Sequence, residues 1–320
     1  NVNNGIVSVS GNITIGSGTS FGSRIARVFV TTGTLTVSGN MIYNVGNVSS
    51  GVVDLSGGTA SLHLAGNITL KPAGTLSPGS SSTVNFNGSL AGQIVTFGSG
   101  ISYFNINFNN SNTAGVSLSS NLGTGNVTGN IAVQSGIFSN GGFTITGNVA
   151  RQFTVSNAAT FRLTGSTAIP AGFGTVNFGV SSTVDFRGTT SQNIGAYNYG
   201  NLTSSSTGSR VLASSGTIGI AGSFIPGTNS YTISGSTISF NGSNQTVPSF
   251  NSTSGYNNLY IAQSTGMATA GGNITVGGTL NLISGNLNLD NRVLTLNGTA
   301  AIAGSPFSAS KMIMADGGGE

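Results

Sequence analysis

One short phrase recurs along the chain at nearly fixed spacing. Val7-Ser8-Val9-Ser10-Gly11-Asn12 returns, with related residues, at positions 35–40, 62–67 and 143–148. The first two steps, from Gly11 to Gly39 and from Gly39 to Gly66, are nearly equal, and the step from Gly66 to Gly147 is three times as long. A fixed period of this size is typical of a stacked repeat architecture. Inside the phrase, apolar and polar residues alternate before Gly-Asn, which predicts a strand with one buried face followed by a turn.

A strand and a turn in every period predict the coil of a β-solenoid. Apolar residues show no helical spacing, and glycine and turn-forming residues are spread through the whole chain. Parallel stacking places like residues above one another, so Asn12, Asn40 and Asn67 are predicted to form an amide ladder at one turn. We therefore predict an all-β fold, a right-handed parallel β-helix of roughly 12–14 coils. We expect a single domain over residues 1–320, part of a larger secreted protein, with 305–320 as its terminal segment.

A longer repeat overlies the first. Residues 82–88, 182–188 and 236–242 share a Ser-Thr-apolar-x-Phe-x-Gly pattern. Each copy is followed by a glutamine and then by a Tyr-x-Asn-apolar tetrad that begins at Tyr103, Tyr199 or Tyr256. A strand near Ile131, Ile218 or Ile274 comes next, before a closing apolar-Thr-apolar triplet. The order predicts a unit of about two coils in the last two copies, with extra length in the first.

The composition excludes several classes of protein. Only 4% of residues are charged, against about a quarter in ordinary globular proteins. The nine lysines and arginines are scattered, with only Arg24 and Arg27 close together, so no nucleic-acid footprint is present. No stretch approaches the about 20 apolar residues of a membrane helix, and we expect no membrane insertion. The chain has no cysteine, which excludes disulfides and is compatible with an extracellular or cell-surface location.

The order of these motifs resembles the β-strand-repeat surface proteins of Bacteroidota-type bacteria. Residues 272–282, Gly-Asn-Ile-Thr-Val-Gly-Gly-Thr-Leu-Asn-Leu, carry the resemblance best, and residues 308–317 resemble the segment that closes such repeat regions. The resemblance implies a right-handed parallel β-helix in a large secreted protein, often exported by the type IX route. It also implies roles in adhesion, surface layers or gliding. Filamentous-haemagglutinin-like and autotransporter adhesins share the architecture but are more distant in their motifs.

Ionisable residues offer little for catalysis or metal binding. His63, the single histidine, takes the outward slot of the repeated phrase, and a base or metal ligand needs partners. Asp185 and Arg187 share one face of a predicted strand, where an ion pair is plausible. The acidic residues are far apart in sequence except in 316–320, which lacks the spacing of a calcium loop. We predict no catalytic residue, no metal and no cofactor.

The tyrosines allow two interpretations. Tyr197 and Tyr199 form the best candidate for an exposed aromatic pair that stacks on a sugar. In the alternative, Tyr103, Tyr199 and Tyr256 are repeat landmarks that pack inside the coils.

The sequence favours a structural module of an extracellular adhesin or cell-surface fibre, without enzymatic activity. Unpaired strand edges at the ends of a solenoid would let copies assemble end to end into filaments, and surface glycans are candidate partners. The alternative function is a carbohydrate-binding or carbohydrate-cleaving β-helix of the tailspike or lyase kind, and a cleaving site needs two carboxylates within about 5–10 Å. An ice-binding solenoid would need a regular Thr-x-Thr array, and only residues 34–36 and 144–146 provide that pattern.

Overall fold

The chain folds as a β-solenoid. The computed structural model describes residues 1–16, 25–43, 50–69, 74–98, 100–252 and 254–315. These residues contain no helix, and their parallel strands stack in about 13 turns. The predicted all-β class, parallel pairing and number of coils are therefore confirmed. The chain forms two compact units, Asn1–Phe161 with Pro170–Asn177, and Arg162–Ile169 with Phe178–Glu320.

In the first unit, one sheet gathers a strand from each successive coil. Its order is β1 (Ile6–Val9), β4 (Thr34–Val37), β7 (Ser61–Leu64), β10 (Thr83–Phe86), β12 (Asn105–Phe108), β14 (Ile131–Val133) and β16 (Gln152–Val155). A second series is β11 (Gln93–Val95), β13 (Val116–Leu118) and β15 (Ile137–Ser139). Two shorter sheets are β2 (Ile13–Ile15), β5 (Met41–Tyr43), β8 (Ile68–Thr69), and β3 (Ile25–Phe29), β6 (Ser50–Leu55), β9 (Gly74–Pro78). Residues of both units occur in β17 (Thr160–Leu163) and β18 (Thr175–Phe178).

The second unit repeats this arrangement on three faces. One series is β19 (Thr183–Phe186), β22 (Asn201–Ser204) and β25 (Phe224–Ile225), and another is β20 (Gln192–Ile194), β23 (Arg210–Leu212) and β26 (Tyr231–Thr232). The third is β21 (Asn198–Tyr199), β24 (Ile218–Ile220), β27 (Thr237–Phe240), β29 (Asn258–Ala270), β31 (Thr279–Asn288) and β33 (Ala301–Ala303). Beside these lie β28 (Thr246–Val247), β34 (Ile313–Met314) and the pair β30 (Ile274–Val276) and β32 (Leu294–Leu296).

Inward apolar side chains form columns through the core. Val7 pairs with Leu35, and Leu35 pairs with Leu62 in the coil that follows. The column continues through Val84, Ile106, Ile131 and Phe153. Their neighbours in each strand point outward, as the alternating phrase predicts. Full burial of one such side chain is worth about 1.5–3 kcal/mol, so each coil gains from the columns that it extends.

The fourth copy of the phrase, residues 143–148, does not belong to this column. Its Ile145 bridges Leu122, whereas the column passes from Ile131 to Phe153. The cause is the coil length, because the coil that runs from Leu62 to its partner Val84 is shorter than the one from Leu35 to Leu62. The long step from Gly66 to Gly147 is therefore not three coils, and that part of the prediction is wrong.

The longer repeat describes one coil that closes on itself. In all three copies, the Ser-Thr-apolar strand pairs with the strand that begins in the Tyr-x-Asn tetrad, with the same register. The matched pairs are Thr83 with Asn105, Thr183 with Asn201, and Thr237 with Asn258. The second of these coils is the shortest, so the motif closes coils of different lengths.

The predicted two-coil unit is wrong. The second and third copies start in β19 and β27, which belong to different sheets of the second unit, so they are not a whole number of coils apart. The residues that stack on the tetrads as Ile131 does are Phe224 and Leu280, not Ile218 and Ile274.

Candidate functional site

A buried glutamine closes the corner after each Phe-x-Gly sequence. The Gln93 Oε1 accepts a hydrogen bond from the Gly88 N–H at 2.8 Å. Its Nε2 donates to the carbonyl oxygens of Leu64, at 2.8 Å, and Gly66, at 2.6 Å, in the coil before. The same contacts join Gln192 to Gly188, Leu163 and Thr167, and Gln245 to Gly242, Ile220 and Gly222. Each corner glutamine thus bonds a buried N–H of its own coil and adds a second donor to a carbonyl oxygen of the coil before, since Leu64, Leu163 and Ile220 also accept a backbone N–H.

Arg210 takes the place of a corner glutamine in one coil. It pairs in register with Gln192 and is fully buried. Its guanidinium donates to the carbonyl oxygens of Phe186, at 2.7 Å, and Gly208, at 2.8 Å. Burial in this carbonyl cage lowers the pKa of Arg210, because the charged form loses its hydration. Sequence reasoning missed this residue, and its place one coil after Gln192 is the signal that could have found it.

The landmark tyrosines, Tyr103, Tyr199 and Tyr256, are buried inside the coils. Each hydroxyl donates to the carbonyl oxygen three residues after the corner glutamine of its coil. The acceptors are Thr96 at 2.9 Å, Gly195 at 2.9 Å and Pro248 at 2.5 Å. Burial raises the pKa of all three phenols, because the phenolate would be poorly solvated there. The tyrosine and glutamine of each copy therefore act together to close one coil.

Asn12, Asn40 and Asn67 do stack, but their amides bond to the backbone and not to one another. The Asn12 Oδ1 accepts a hydrogen bond from the Asn40 N–H at 2.7 Å, and the Asn40 Oδ1 accepts one from the Asn67 N–H at 2.8 Å. The Asn67 Oδ1 in turn accepts from the Ile94 N–H at 2.7 Å. Each asparagine thus holds the backbone of the next coil at a fixed position along the stack.

The glycine before each asparagine makes room for the side chain of the coil before. A Cβ at Gly39 would lie 2.5 Å from the Asn12 Oδ1, and one at Gly66 would lie 2.6 Å from the Asn40 Oδ1. Real Cβ contacts are longer, so glycine is required at both positions. In each Gly-Asn dipeptide, the glycine therefore leaves room for the asparagine side chain of the coil before. The asparagine in turn accepts a hydrogen bond from the coil that follows.

The predicted exposed pair of Tyr197 and Tyr199 is not formed. Tyr199 is only 1% exposed, and its ring is stacked on Phe178 with a centroid distance of 5.2 Å. Tyr197 is half-buried and meets Tyr199 edge to face at 6.2 Å. Tyr199 has no free face for a sugar, so this assignment is wrong.

His63 and Asp185 have different neighbours and lie in different units. His63 is half-buried on the outward face of β7, with its Nδ1 3.4 Å from the Asn87 Nδ2. Asp185 lies 3.8 Å from the Arg162 Nε and accepts a hydrogen bond from the Ser205 hydroxyl at 2.6 Å. Arg187 is exposed, so Asp185 is paired with another strand and not with Arg187 as predicted.

Within the described ranges, no group of three His, Cys, Asp or Glu residues could hold a metal ion, and no helix is long and apolar enough to cross a membrane. Residues 316–320, considered above as a calcium loop, and Arg24 lie outside the described residues.

Three clefts open on the outer faces of the described structure, and serine, threonine, asparagine and glycine dominate their walls. The cleft in the first unit has a volume of about 340 Å³ and lies between residues 75–78 and residues 98 and 100–102. In the second unit, the serine cleft, formed by Ser249, Phe250, Ser252, Ser254, Tyr256, Asn273, Thr275 and Asn297, has a volume of about 230 Å³. A neighbouring cleft of about 320 Å³ contains Tyr231, Ile233, Ser254 and Asn257. The walls of all three clefts are uncharged.

No protein-family model, curated protein or solved structure matches the chain. The fold and its contacts define a parallel β-solenoid with a repeated coil-closing motif. The resemblance to Bacteroidota-type surface proteins stays a prediction.

Proposed function

We propose that this chain is a structural module of an extracellular adhesin or cell-surface fibre. The proposal rests on the contacts that the recurring residues make. The corner glutamines, the landmark tyrosines and the Gly-Asn dipeptides all close a coil or hold one coil on the next. Residues that recur for coil stacking indicate a protein whose task is to maintain an extended stack.

The outer surface is consistent with this role. The outward side chains of β4, β7, β10 and β12 are threonine, serine, asparagine and His63. Some of them bond to one another across the coils, as the Asn107 amide does with the Asn85 Oδ1 at 2.9 Å. Such a face is neutral, hydrated and conformationally fixed, which suits a stable extracellular spacer.

The proposal includes assembly between copies of this chain through coil faces that the described residues leave uncovered. Val7 and Leu35 share the same inward slot, yet Val7 is 42% exposed and Leu35 only 1%. In the second unit, Ile302 is 44% exposed and its register partner Leu280 is fully buried. Among the described strands, β1 and β33 each have a free edge in the order of their sheets. Free edges with uncovered apolar slots can accept a further coil, whether it belongs to the same protein or to another copy of the chain.

Electron microscopy of the purified chain tests assembly, with analytical ultracentrifugation over a wide concentration range. We expect filaments with a continuous strand ladder, and we expect Val7→Lys or Ile302→Lys to abolish them. Val149→Lys is the matched control, because Val149 is exposed away from the two open coils. A monomer at every concentration would refute end-to-end assembly.

Cell-surface labelling tests the location independently. An antibody against the chain should label intact, unpermeabilised cells of the source organism. Labelling that requires permeabilisation would overturn the extracellular role.

Carbohydrate binding is the second candidate function, and the serine cleft is the observation that favours it. Carbohydrate cleavage has weaker support. Asp54 accepts hydrogen bonds from Ser56 and lies 3.8 Å from Arg27, and Asp185 is tied to Arg162 and Ser205. Neither carboxylate lines any of the three clefts.

A further inference from the structure

In the second unit, residues 248–252 and 254–257 join β28 to β29 without forming a named strand. Among the described residues, the face built by β20, β23 and β26 continues into this coil through a bridge between Tyr231 and Ser252. The chain resumes a strand on a neighbouring face with β29. The serine cleft opens beside this segment, which joins the corner glutamine to the landmark tyrosine of the third copy.

The ring of Phe250 lines the serine cleft and is held by other aromatic rings. Phe250 is half-buried, and its ring meets Phe224, Tyr231 and Tyr256 edge to face, with centroid distances of 5.7, 4.9 and 4.8 Å. Three edge contacts hold the ring in place while part of it stays accessible. A ligand that stacks there would not have to immobilise the ring, which lowers the entropic cost of binding.

The hydroxyls of the neighbouring tyrosines are already engaged inside the coils. The Tyr256 hydroxyl donates to the Pro248 carbonyl oxygen at 2.5 Å. The Tyr231 hydroxyl lies 2.8 Å from the Ser204 hydroxyl and 3.0 Å from the Pro226 carbonyl oxygen. The aromatic cluster therefore offers ring carbon to the cleft.

The rim of the cleft offers groups that both donate and accept hydrogen bonds. Ser249, Asn273 and Asn297 are exposed, and Ser254 and Thr275 are half-buried. Hydroxyl and amide groups with both capacities match the hydroxyls of a sugar, whereas a charged ligand would need an opposite charge. No lysine, arginine, histidine, aspartate or glutamate of the described ranges lines the cleft.

We propose that the serine cleft binds one pyranose ring of a neutral polysaccharide, with the sugar stacked on Phe250. Its volume of about 230 Å³ is below the about 300 Å³ of small drug-sized sites, which fits a single ring. The neighbouring cleft shares Ser254 and adds Asn257 and Ile233, so it is placed to take the next residue of the glycan. This inference deepens the carbohydrate-binding candidate and is independent of the structural role.

The test uses the full chain and four oligosaccharides: maltohexaose, cellohexaose, xylohexaose and, as the charged counterpart, hexagalacturonate. Saturation-transfer NMR and isothermal titration calorimetry measure binding. We expect at least one neutral hexasaccharide to bind, with hexagalacturonate much weaker. Phe250→Ala should weaken binding at least tenfold by removing the stacking surface. Ser249→Phe should do the same by filling the mouth of the cleft from an exposed position that leaves the core intact.

Tyr260→Ala is the matched control, because Tyr260 is also a half-buried aromatic but lines neither cleft. Its binding should equal that of the wild-type chain. The proposal is overturned if no neutral hexasaccharide binds, if hexagalacturonate binds best, or if Ser249→Phe binds like the wild type. Surface labelling and filament formation do not depend on the cleft, so failure here leaves the structural role standing.

Discussion

At the scale of single residues, two glycines in the same sequence context differ in how much space surrounds them. Gly11 and Gly39 both stand in a Val-Ser-x-Asn setting. A Cβ at Gly39 would collide with the Asn12 side chain and the Gly11 backbone, whereas a Cβ at Gly11 would meet nothing within 4 Å. The difference arises because a coil lies before Gly39 in the stack, and the described structure has none before Gly11.

We expect Gly39→Ala to lower the free energy of unfolding by about 1–3 kcal/mol, because the Asn12 amide must move and its bond to Asn40 is lost. Gly11→Ala should change stability by less than about 1 kcal/mol. Urea denaturation followed by circular dichroism measures both. Equal losses in the two variants would show that the asparagine contact is not the cause.

Arg210 provides a second prediction at this scale. Arg210→Leu removes the charged donor from the carbonyl oxygens of Phe186 and Gly208, which keep only the Ser205 N–H at 3.3 Å and the Asn229 amide at 2.6 Å. We therefore expect a loss of about 1.5–3 kcal/mol. Arg210→Gln restores the residue used at the other corners and should cost clearly less. Arg187→Leu, at an exposed site, should change stability by about 0.5 kcal/mol at most. Thermal denaturation compares the stabilities of the three variants. An Arg210→Leu chain as stable as the wild type would show that the contacts between Arg210 and the carbonyl oxygens do not stabilise the fold.

The recurring residues could be located from the sequence, but only some of their contacts could be predicted. The stacking of Asn12, Asn40 and Asn67 follows from their spacing, since like residues recur at the coil length. The backbone acceptor role does not follow, because it depends on how far the chain rises per coil. Tyr199 was open to two interpretations because a Tyr-x-Tyr pair with period 2 predicts a shared face without saying which side faces the core.

At the scale of the coil, the closing motif is independent of the face on which it begins. The strands β19 and β27 start the same motif in different sheets, and each still pairs with the strand one coil later. The alternation of apolar and polar residues within a strand depends only on neighbouring residues. The strands and their buried sides could therefore be predicted from the sequence. Coil length is not constant, since the coil from Ile6 to Thr34 is much longer than the one from Thr183 to Asn201. The face on which each motif begins could not be predicted, because it depends on the number of residues between the motifs.

Removal of a whole coil tests this independence. Deletion of residues 237–257 places Asn258 where Thr237 stood, and Thr237 and Asn258 are register partners. We expect a folded solenoid with unchanged circular dichroism per residue and similar resistance to protease. Deletion of residues 237–247 breaks the register and should produce a protease-sensitive chain. If both deletions fold equally well, register is not what the motif fixes.

At the scale of the whole molecule, buried tyrosines predict the response to alkali. Burial raises the pKa of Tyr231 to about 12 and those of Tyr103, Tyr199 and Tyr256 well above 10. An unfolded tyrosine loses its proton near pH 10. Above that pH the unfolded chain binds fewer protons than the folded one, so stability falls as pH rises.

We expect full stability from these groups below about pH 10 and a loss of up to about 1.4 kcal/mol per pH unit and tyrosine above it. Tyrosinate absorbance and circular dichroism should therefore change together as the chain unfolds. Tyr256→Phe removes one titrating group and should make the decline shallower. Complete ionisation of the tyrosines in a chain that stays folded would contradict their burial.

The asparagine and glutamine contacts share a direction along the chain. Each Asn12-type Oδ1 receives the N–H of the coil that follows, and each corner glutamine donates to carbonyl oxygens of the coil before. Every new coil is therefore positioned by groups on a coil that has already been made. A chain that emerges amino terminus first meets these acceptor groups already in place on the coil before, so the asparagine and glutamine contacts favour growth of the solenoid one coil at a time.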